Sequence, residues 1–182
     1  MLFDETVKWR ILTKFFEIPE KGYYVNELAR ELNVSPGSIS KICKELAKDE
    51  LLRSQVKANA LFYYLENNLV VVRKLKSAWF LNELMKYSEC WENQEFQSVA
   101  LYGSRSSGEF ISMSDVDILV ISNIPKTDVE KHFKKMKKLA VQVTITVFSA
   151  AEWRKLAKEK NRFYIEVIAN NILIDGTSLV VG

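Results

Sequence analysis

The sequence predicts an α/β protein of the α+β type, with helices and a hairpin first and a mixed sheet with flanking helices last. In residues 1–66, apolar residues first recur at helical spacing and then alternate with polar residues on both sides of one turn, as in a β-hairpin. From Gln97 onward, short apolar strands alternate with helical patterns, which favours an α/β layer. The predicted strands are residues 98–102, 116–122, 141–148 and 172–174, and the predicted helices are residues 128–139, 150–158 and 162–169. At 182 residues, the chain has room for one large domain or two small ones.

Three helices are predicted in the first part. Residues 4–16 and 24–33 show helical apolar spacing. A third helix starts at Pro36, because Ser35 is a good N-cap and proline fits the first helical position. The residues expected to face inward are Val7, Ile11, Leu12, Phe15, Leu28, Ala29, Leu32, Ile39, Ile42, Cys43 and Leu46.

A hairpin follows these helices. Residues 51–65 alternate like two strands around a turn near Ala58 and Asn59. Helix, helix, short turn, helix and hairpin is an order that resembles the winged helix-turn-helix domain of small prokaryotic transcription regulators. The resemblance covers about residues 5–66 and implies that the helix of residues 36–48 enters the DNA major groove. The side chains expected to contact DNA are Ser38, Ser40, Lys41, Lys44, Arg53 and Lys57.

The alternative for this part is a docking or dimerisation module. Its ten Lys and Arg residues are balanced by ten Asp and Glu residues, so it has no net positive charge to attract DNA. Residues 67–96 then predict an apolar connecting helix, with Val71, Leu75, Trp79 and Leu84 on one side and Val72 and Phe80 beside them. Such a helix packs on its own domains or forms a homodimer seam. The predicted division is therefore 1–66, 67–96 and 97–182.

The most informative motif lies between two apolar strands of the last part. Gly103-Ser104 follows the first strand, and Asp115-Val116-Asp117 opens the second after ten intervening residues. Two carboxylates two apart on a strand point to the same face, and such a pair suits Mg²⁺. The Gly-Ser turn offers backbone N–H groups and a hydroxyl to a phosphate. The opposing interpretation is a surface loop with solvated acids, which does not account for the buried strand that follows.

This combination resembles the nucleotidyltransferase superfamily that includes DNA polymerase beta, and its small prokaryotic members in particular. The matching residues are Gly103, Ser104, Asp115 and Asp117, with Arg105, Gly108 and Ser114 also typical of the small members. The resemblance implies that the two aspartates are catalytic and hold Mg²⁺ or Mn²⁺. It also implies that Gly103, Ser104 and Arg105 bind the phosphates of a nucleoside triphosphate.

One feature of the family is missing. The family usually adds a third carboxylate from a later strand, which here is the strand of residues 141–148. Its polar face carries Gln142, Thr144 and Thr146, and Thr144 is expected at the position of the missing acid. Glu109 or a partner protein could supply the acid. The absence of the third carboxylate is expected to impair catalysis more than nucleotide binding.

Two functions therefore stay open. The first is transfer of NMP from a nucleoside triphosphate to an acceptor, such as the hydroxyl of a toxin partner in antitoxin-type members of the family. The second is a catalytically weak or inactive transcriptional regulator that binds duplex DNA and senses a nucleotide or a partner protein. The aspartates and Ser104 favour the first function, whereas the neutral strand and the attached winged helix favour the second.

Charge, cysteine and histidine content and the lack of a membrane segment limit the kinds of protein this can be. The net charge of +3 comes from the last part, above all from the lysine-rich segment of residues 131–138. This segment is either a solvated helix face or a surface that attracts phosphates or polyanions. The two cysteines lack metal-site spacing, and His132 is the single histidine. With no transmembrane span or signal-peptide pattern, the sequence predicts a cytoplasmic protein.

Overall fold

A computed structural model describes residues 6–92 and 94–181. These residues form two compact units. Their mixed α/β structure with two sheets confirms the predicted fold class. The first unit reaches Asn82 and includes Phe110–Ser112. The second contains Glu83–Glu109 and the chain from Met113 onward.

The first unit contains the predicted helices and hairpin. Its elements are α1 (Val7–Glu17), β1 (Tyr23–Tyr24), α2 (Val25–Leu32), α3 (Pro36–Lys48), β2 (Leu52–Lys57), β3 (Ala60–Leu65) and most of α4 (Val70–Leu84). The strands form an antiparallel sheet in the order β1-β3-β2. All the residues expected to face inward are buried, except Val7 and Ile42, which are half-buried.

Local chemistry sets the ends of these elements. The Ser35 hydroxyl accepts a hydrogen bond from the Ser38 backbone N–H at 3.2 Å and thereby caps α3. Asn33 ends α2 in the left-handed conformation, with φ of 52°. Ala58 and Asn59 both have positive φ, so a two-residue turn joins β2 to β3 at the predicted place.

The buried side of α4 contains part of the expected apolar stripe. Val72, Lys76, Phe80 and Leu84 are buried, whereas Val71 is 53% exposed. These four buried residues are spaced four positions apart, and Ser77 is buried beside them. They include a lysine, which an argument from apolar spacing cannot place on the inner face.

Lys76 is held inside the first unit by specific contacts. Its ammonium donates hydrogen bonds to the Asn67 Oδ1 atom at 2.9 Å and to the Phe110 carbonyl at 2.8 Å. The same ammonium lies 4.6 Å from the centre of the Phe110 ring. Nearby, the Ser112 backbone N–H donates to the Glu20 carboxylate at 3.2 Å. The segment between Gly108 and Asp115 is therefore anchored at both Phe110 and Ser112.

The second unit contains the predicted mixed sheet. Its elements are β4 (Ser98–Tyr102), α5 (Gly103–Ser107), β5 (Val116–Ile121), α6 (Lys126–His132), β6 (Val143–Phe148), α7 (Ala150–Lys158), α8 (Arg162–Ala169) and β7 (Asn171–Gly176). The strand order is β6-β5-β4-β7, with β5 and β6 parallel and the other pairs antiparallel. The helix expected to reach residue 139 is α6 followed by a 3₁₀ helix, Phe133–Lys138.

The two faces of this sheet are covered differently. Ala100, Leu119 and Ile121 pack with Trp153 of α7 and Val167 of α8. The other face carries the segment from α6 through the 3₁₀ helix, whose Phe133 ring stacks with Trp91 and Phe96. Among the described helices, none is both long and apolar enough to cross a membrane.

Candidate functional site

The end of β4 and the start of β5 lie side by side. Tyr102 pairs with Asp117 in the antiparallel register, so Gly103 follows directly beside the second aspartate. On the other side of β5, Asp117 pairs with Thr144 of β6. The sheet thus brings together residues that are separated by up to about forty positions in the chain. Asp115 precedes the strand and is exposed, whereas Asp117 is half-buried.

Gly103 makes the close approach between the turn and the carboxylate. Its φ is +73°, a conformation that side chains other than glycine rarely adopt. A Cβ atom at this position would lie 2.6 Å from the Asp117 Oδ2 atom. Glycine is therefore required here both by the backbone and by the neighbouring carboxylate.

We expect Gly103→Ala to destabilise the protein by at least about 1–2 kcal/mol, from the left-handed backbone alone. The contact with the Asp117 carboxylate adds to this cost. Gly37→Ala is the matched control, because a Cβ atom there meets nothing within 4 Å. The control should be neutral or gain up to about 1 kcal/mol. Urea unfolding measures both, and a Gly103→Ala protein as stable as the control would contradict the packing described.

Arg105 holds the backbone that leads into the aspartates. Its side chain is 5% exposed, and its Nε atom donates to the carbonyls of Ser114 and Asp115 at 3.2 and 3.1 Å. Its Nη2 atom donates to the Ser114 carbonyl at 2.6 Å. The sequence suggested a phosphate contact for Arg105, which stays a prediction. In the structure, the Arg105 side chain holds the backbone of Asp115 in position.

The two aspartates repel each other. Burial, together with the negative charge of Asp115, raises the pKa of Asp117, and the guanidinium of Arg105 offsets only part of this rise. A cation placed between the carboxylates would relieve that repulsion. Carboxylate oxygens are the hard ligands that Mg²⁺ prefers, so the donor set fits a divalent cation. In the described residues, however, no group of three or more His, Cys, Asp or Glu side chains could hold a metal.

Hydroxyl groups occupy the sheet surface next to Asp117. The Tyr102 and Thr146 hydroxyls are hydrogen-bonded at 3.0 Å, across β5. Burial raises the pKa of Tyr102, and the charge of Asp117 adds to the rise although the Thr146 hydrogen bond opposes it. Tyr102 is therefore a neutral phenol at physiological pH. Thr144, beside Asp117, has no ionisable group, so the sheet offers no third acid at this position.

A cavity of about 300 Å³ adjoins the Gly-Ser turn. Ser104 lies on its wall, opposite Phe163, Glu166 and Asn170 from the α8 region. Ser106 links the two sides, because its hydroxyl lies 2.8 Å from the Gly103 carbonyl and 2.7 Å from the Asn170 carbonyl. The cavity wall also includes Glu109, the acid that the sequence offered as a substitute.

The residues expected to contact DNA lie on α3 and the hairpin of the first unit. Ser38, Lys41 and Lys44 are exposed on α3, whereas Ser40 is half-buried. On the hairpin, Arg53 and Lys57 are exposed. Their cationic groups lie 4.6 and 4.9 Å from the centre of the Tyr64 ring.

Comparison with known proteins identifies the part of the chain that carries the aspartates. Residues 84–171 match the family model of the nucleotidyltransferase domain. This match confirms the resemblance for the segment that contains Gly103, Ser104, Asp115 and Asp117. No curated protein matches the chain. Among solved structures, a possible transcriptional regulator from Methanosarcina mazei Go1 is 16% identical, with a TM-score of 0.33, and the match covers 48% of this chain and 79% of that chain.

Several residues of the site were missed by sequence reasoning. Phe163 and Glu166 of α8, and Asn170 directly after it, lie more than forty residues after the motif, and nothing in the local sequence pattern marks them. The Tyr102–Thr146 pair could have been found from the polar face of β6, because a threonine beside an apolar strand needs a hydrogen-bond partner.

Proposed function

We propose that this protein transfers NMP from a nucleoside triphosphate to an acceptor hydroxyl. The hydroxyl oxygen attacks the α-phosphorus, the bond between the α-phosphorus and the bridging oxygen breaks, and pyrophosphate leaves. The observation that carries the proposal is the register between Tyr102 and Asp117, which sets the Gly103-Ser104 turn against the Asp117 carboxylate, whose pKa the nearby charge of Asp115 helps to raise. The family match over residues 84–171 supports it independently.

Each residue of the site has a role in this proposal. Asp115 and Asp117 hold Mg²⁺ or Mn²⁺, which would neutralise the charge of the triphosphate when bound. Gly103 lets the backbone approach that charge, and the Ser104 hydroxyl and the neighbouring N–H groups bind phosphate oxygens. Arg105 fixes the backbone of Asp115 through the two carbonyls it contacts. The adjacent cavity accommodates the nucleoside or the acceptor.

The acceptor hydroxyl must lose a proton, and for this step the site has no carboxylate at the sheet position of Thr144. A threonine hydroxyl is no general base at neutral pH. Among the described residues, two carboxylates line the cavity, Glu109 and Glu166. Glu166 forms an ion pair with Arg162 at 2.7 Å, whereas Glu109 accepts a hydrogen bond from the neutral Ser107 hydroxyl at 3.3 Å. We therefore assign to Glu109 the function of taking the proton in a slow reaction.

Transfer of label tests the proposal. The pure protein is incubated with each α-labelled nucleoside triphosphate, Mg²⁺ or Mn²⁺, and cell extract, and the label is followed into macromolecules. We expect transfer with the wild type and none with Asp115→Asn/Asp117→Asn. The control is Asp175→Asn, because Asp175 is exposed at the opposite end of the sheet. Transfer by the double variant at the wild-type rate would refute the site.

A second function concerns the first unit. The exposed Ser38, Lys41 and Lys44 on α3, together with the cationic hairpin, favour a winged helix that binds duplex DNA. In this form of the proposal, residues 1–66 read DNA and the nucleotidyltransferase-like part senses a nucleotide or a partner.

Salt-dependent binding tests the DNA proposal. We expect Lys41→Ala/Lys44→Ala to weaken binding to selected genomic fragments and to reduce the salt slope by about one per lost phosphate contact. Lys155→Ala/Lys158→Ala is the matched control, because these two lysines are also exposed and three positions apart on a helix. If no fragment is enriched at low salt and both variants behave like wild type, the first unit is a docking or dimerisation module.

A further inference from the structure

A basic groove lies on the sheet face that does not carry Thr144 and Thr146. Side chains alternate along a strand, so Val143 and Ile145 of β6 point to the face where α6 packs. There they form the floor of a groove of about 370 Å³, together with Phe133. Lys131, Lys134 and Lys137 line its walls. The proposed nucleotide site does not use these residues.

The lysines of this segment are only partly neutralised. Lys131 pairs with Asp128, and Lys135 pairs with Glu89, each at 2.5 Å. Lys134, Lys137 and Lys138 are exposed, and among the described residues no carboxylate lies within ion-pair distance of them. Glu130, which also lines the groove, is 3.7 Å from Lys126. The groove therefore has an excess of positive charge above an apolar floor.

The floor belongs to an open strand edge. In the described part of the chain, β6 is the outermost strand and pairs only with β5. The Val116 N–H donates to the Gln142 carbonyl, and the Ser122 N–H donates to the Phe148 carbonyl. In a parallel pair of strands, the backbone groups of alternate residues face the neighbouring strand. Because Gln142 and Phe148 bond to β5, the even-numbered residues of β6 face β5. The N–H and C=O groups of Val143, Ile145 and Val147 therefore point outward from the sheet edge.

Nothing in the sequence of this edge protects it from pairing. Strand β6 reads Val-Thr-Ile-Thr-Val-Phe, which contains no charge and no proline. Natural proteins usually place lysine, proline or a bulge on an exposed edge to prevent the addition of another strand. An edge of β-branched and aromatic residues instead favours such addition.

We propose that this edge binds an extended acidic segment of a partner protein by strand addition. The backbone of the segment pairs with the outward groups of Val143, Ile145 and Val147. On the groove side, its carboxylates meet Lys134 and Lys137, while its apolar side chains contact the floor. A nucleic acid would satisfy the lysines but would leave the apolar floor and the strand edge unused.

A second copy of this chain fits the same edge poorly. Antiparallel pairing of two β6 edges places the two copies about a two-fold axis perpendicular to the sheet. Both lysine segments then lie on the same face and oppose each other. Since at least three lysines on each copy lack a described ion-pair partner, the pairing is opposed by like-charge repulsion.

Binding of a designed octapeptide to the full chain tests the proposal. The labelled peptide is Thr-Ile-Thr-Glu-Thr-Ile-Thr-Glu, whose isoleucine and glutamate side chains share one face. We expect anisotropy to show binding by the wild type, and Lys134→Glu/Lys137→Glu to weaken it by at least about 10-fold. Lys155→Glu/Lys158→Glu, with the same spacing on α7, should change it by less than about 2-fold.

Two further peptides separate strand pairing from charge attraction. Methylation of alternate backbone nitrogens on the pairing edge should abolish binding, because it removes the N–H donors while the charge is kept. A peptide with lysine in place of glutamate should not bind. The proposal is overturned if the first peptide does not bind at a concentration of about 1 mM, or if the methylated peptide binds equally well. It is also overturned if a short DNA duplex displaces the bound peptide from the protein. Finally, it is overturned if sedimentation shows a dimer of the protein that cannot bind the peptide.

Discussion

Asp117→Asn is expected to abolish Mg²⁺-dependent nucleotide binding while making the protein more stable. Asparagine keeps the shape of the side chain but removes one of the two carboxylates proposed to hold Mg²⁺. Removing an outer-shell partner of a metal ligand already costs about 10- to 100-fold in affinity, so we expect a loss of at least about 100-fold here. Titration calorimetry with ATP and GTP, with and without Mg²⁺, measures this loss.

The stability gain follows from the pKa of Asp117. Burial and the charge of Asp115 raise this pKa in the folded protein, so the ionised carboxylate is less favourable in the folded state than in the unfolded chain. The penalty is fully present above the raised pKa and disappears as the pH falls below the unfolded value. Asp117→Asn removes the penalty, and its melting temperature should therefore exceed that of the wild type at pH 7.

Two comparisons make this prediction specific. The gain in melting temperature should shrink as the pH is lowered toward the ordinary range of aspartate, about 4. Asp175→Asn, far from the site, should show neither the gain nor the loss of nucleotide affinity. If Asp117→Asn is less stable than the wild type at pH 7, the repulsion between the two aspartates has been misjudged.

The raised pKa of Asp117 also gives the proposed metal binding an expected pH dependence. A divalent cation competes with a proton for the Asp117 carboxylate. Mg²⁺-dependent nucleotide affinity should therefore decline on acidification at a higher pH than it would for an ordinary aspartate. Calorimetry over a pH series measures this, and no decline before the ordinary aspartate range would contradict it.

Local patterns were sufficient to predict the elements around the site. The strand Ser98–Tyr102 and the helices Ala150–Lys158 and Arg162–Ala169 have the predicted bounds. Apolar runs and a Ser149 cap mark these ends, and both signals lie within a few residues of the boundary. The Gly-Ser turn and the Asp-x-Asp pair were visible for the same reason.

Contacts between distant residues could not be predicted in this way. The contact of Arg105 with the Ser114 and Asp115 carbonyls depends on how the loop of residues 108–115 folds back. The sequence motif is equally compatible with an arginine that contacts a phosphate. Burial of Lys76 depends on the Phe110 carbonyl, which is thirty-four residues away. Both cases are charged side chains that bind backbone groups, and backbone groups leave no signature in a sequence.

Thr144 occupies the sheet position from which a third acid would act in the proposed reaction. The parallel register sets Thr144 directly beside Asp117, on the same face of the sheet. Neighbouring strands are about 4.8 Å apart, so an aspartate here would lie close to both existing carboxylates. The position inferred from the polar face of β6 is thus next to the aspartates, as a third acid would need to be.

We expect Thr144→Asp to raise the rate of NMP transfer by about 100-fold, the low end of what a positioned general base contributes. The new carboxylate would accept the proton of the acceptor hydroxyl, which Thr144 cannot do. Thr144→Asn is the matched control, because it has nearly the same shape as aspartate without the charge. Labelled product per hour, at saturating nucleotide, gives the rate for the wild type and both variants.

A third carboxylate also has a cost that can be measured separately. It adds like charge beside Asp117, so Thr144→Asp should melt at a lower temperature than Thr144→Asn without metal, and Mg²⁺ should reduce the difference. This result would place the new acid at the site even if the acceptor is absent from the extract. Equal rates for the aspartate and asparagine variants, together with equal melting temperatures, would show that Thr144 is not the position of the missing acid. Robust transfer by the wild type that survives Glu109→Gln would show instead that this site needs no third acid.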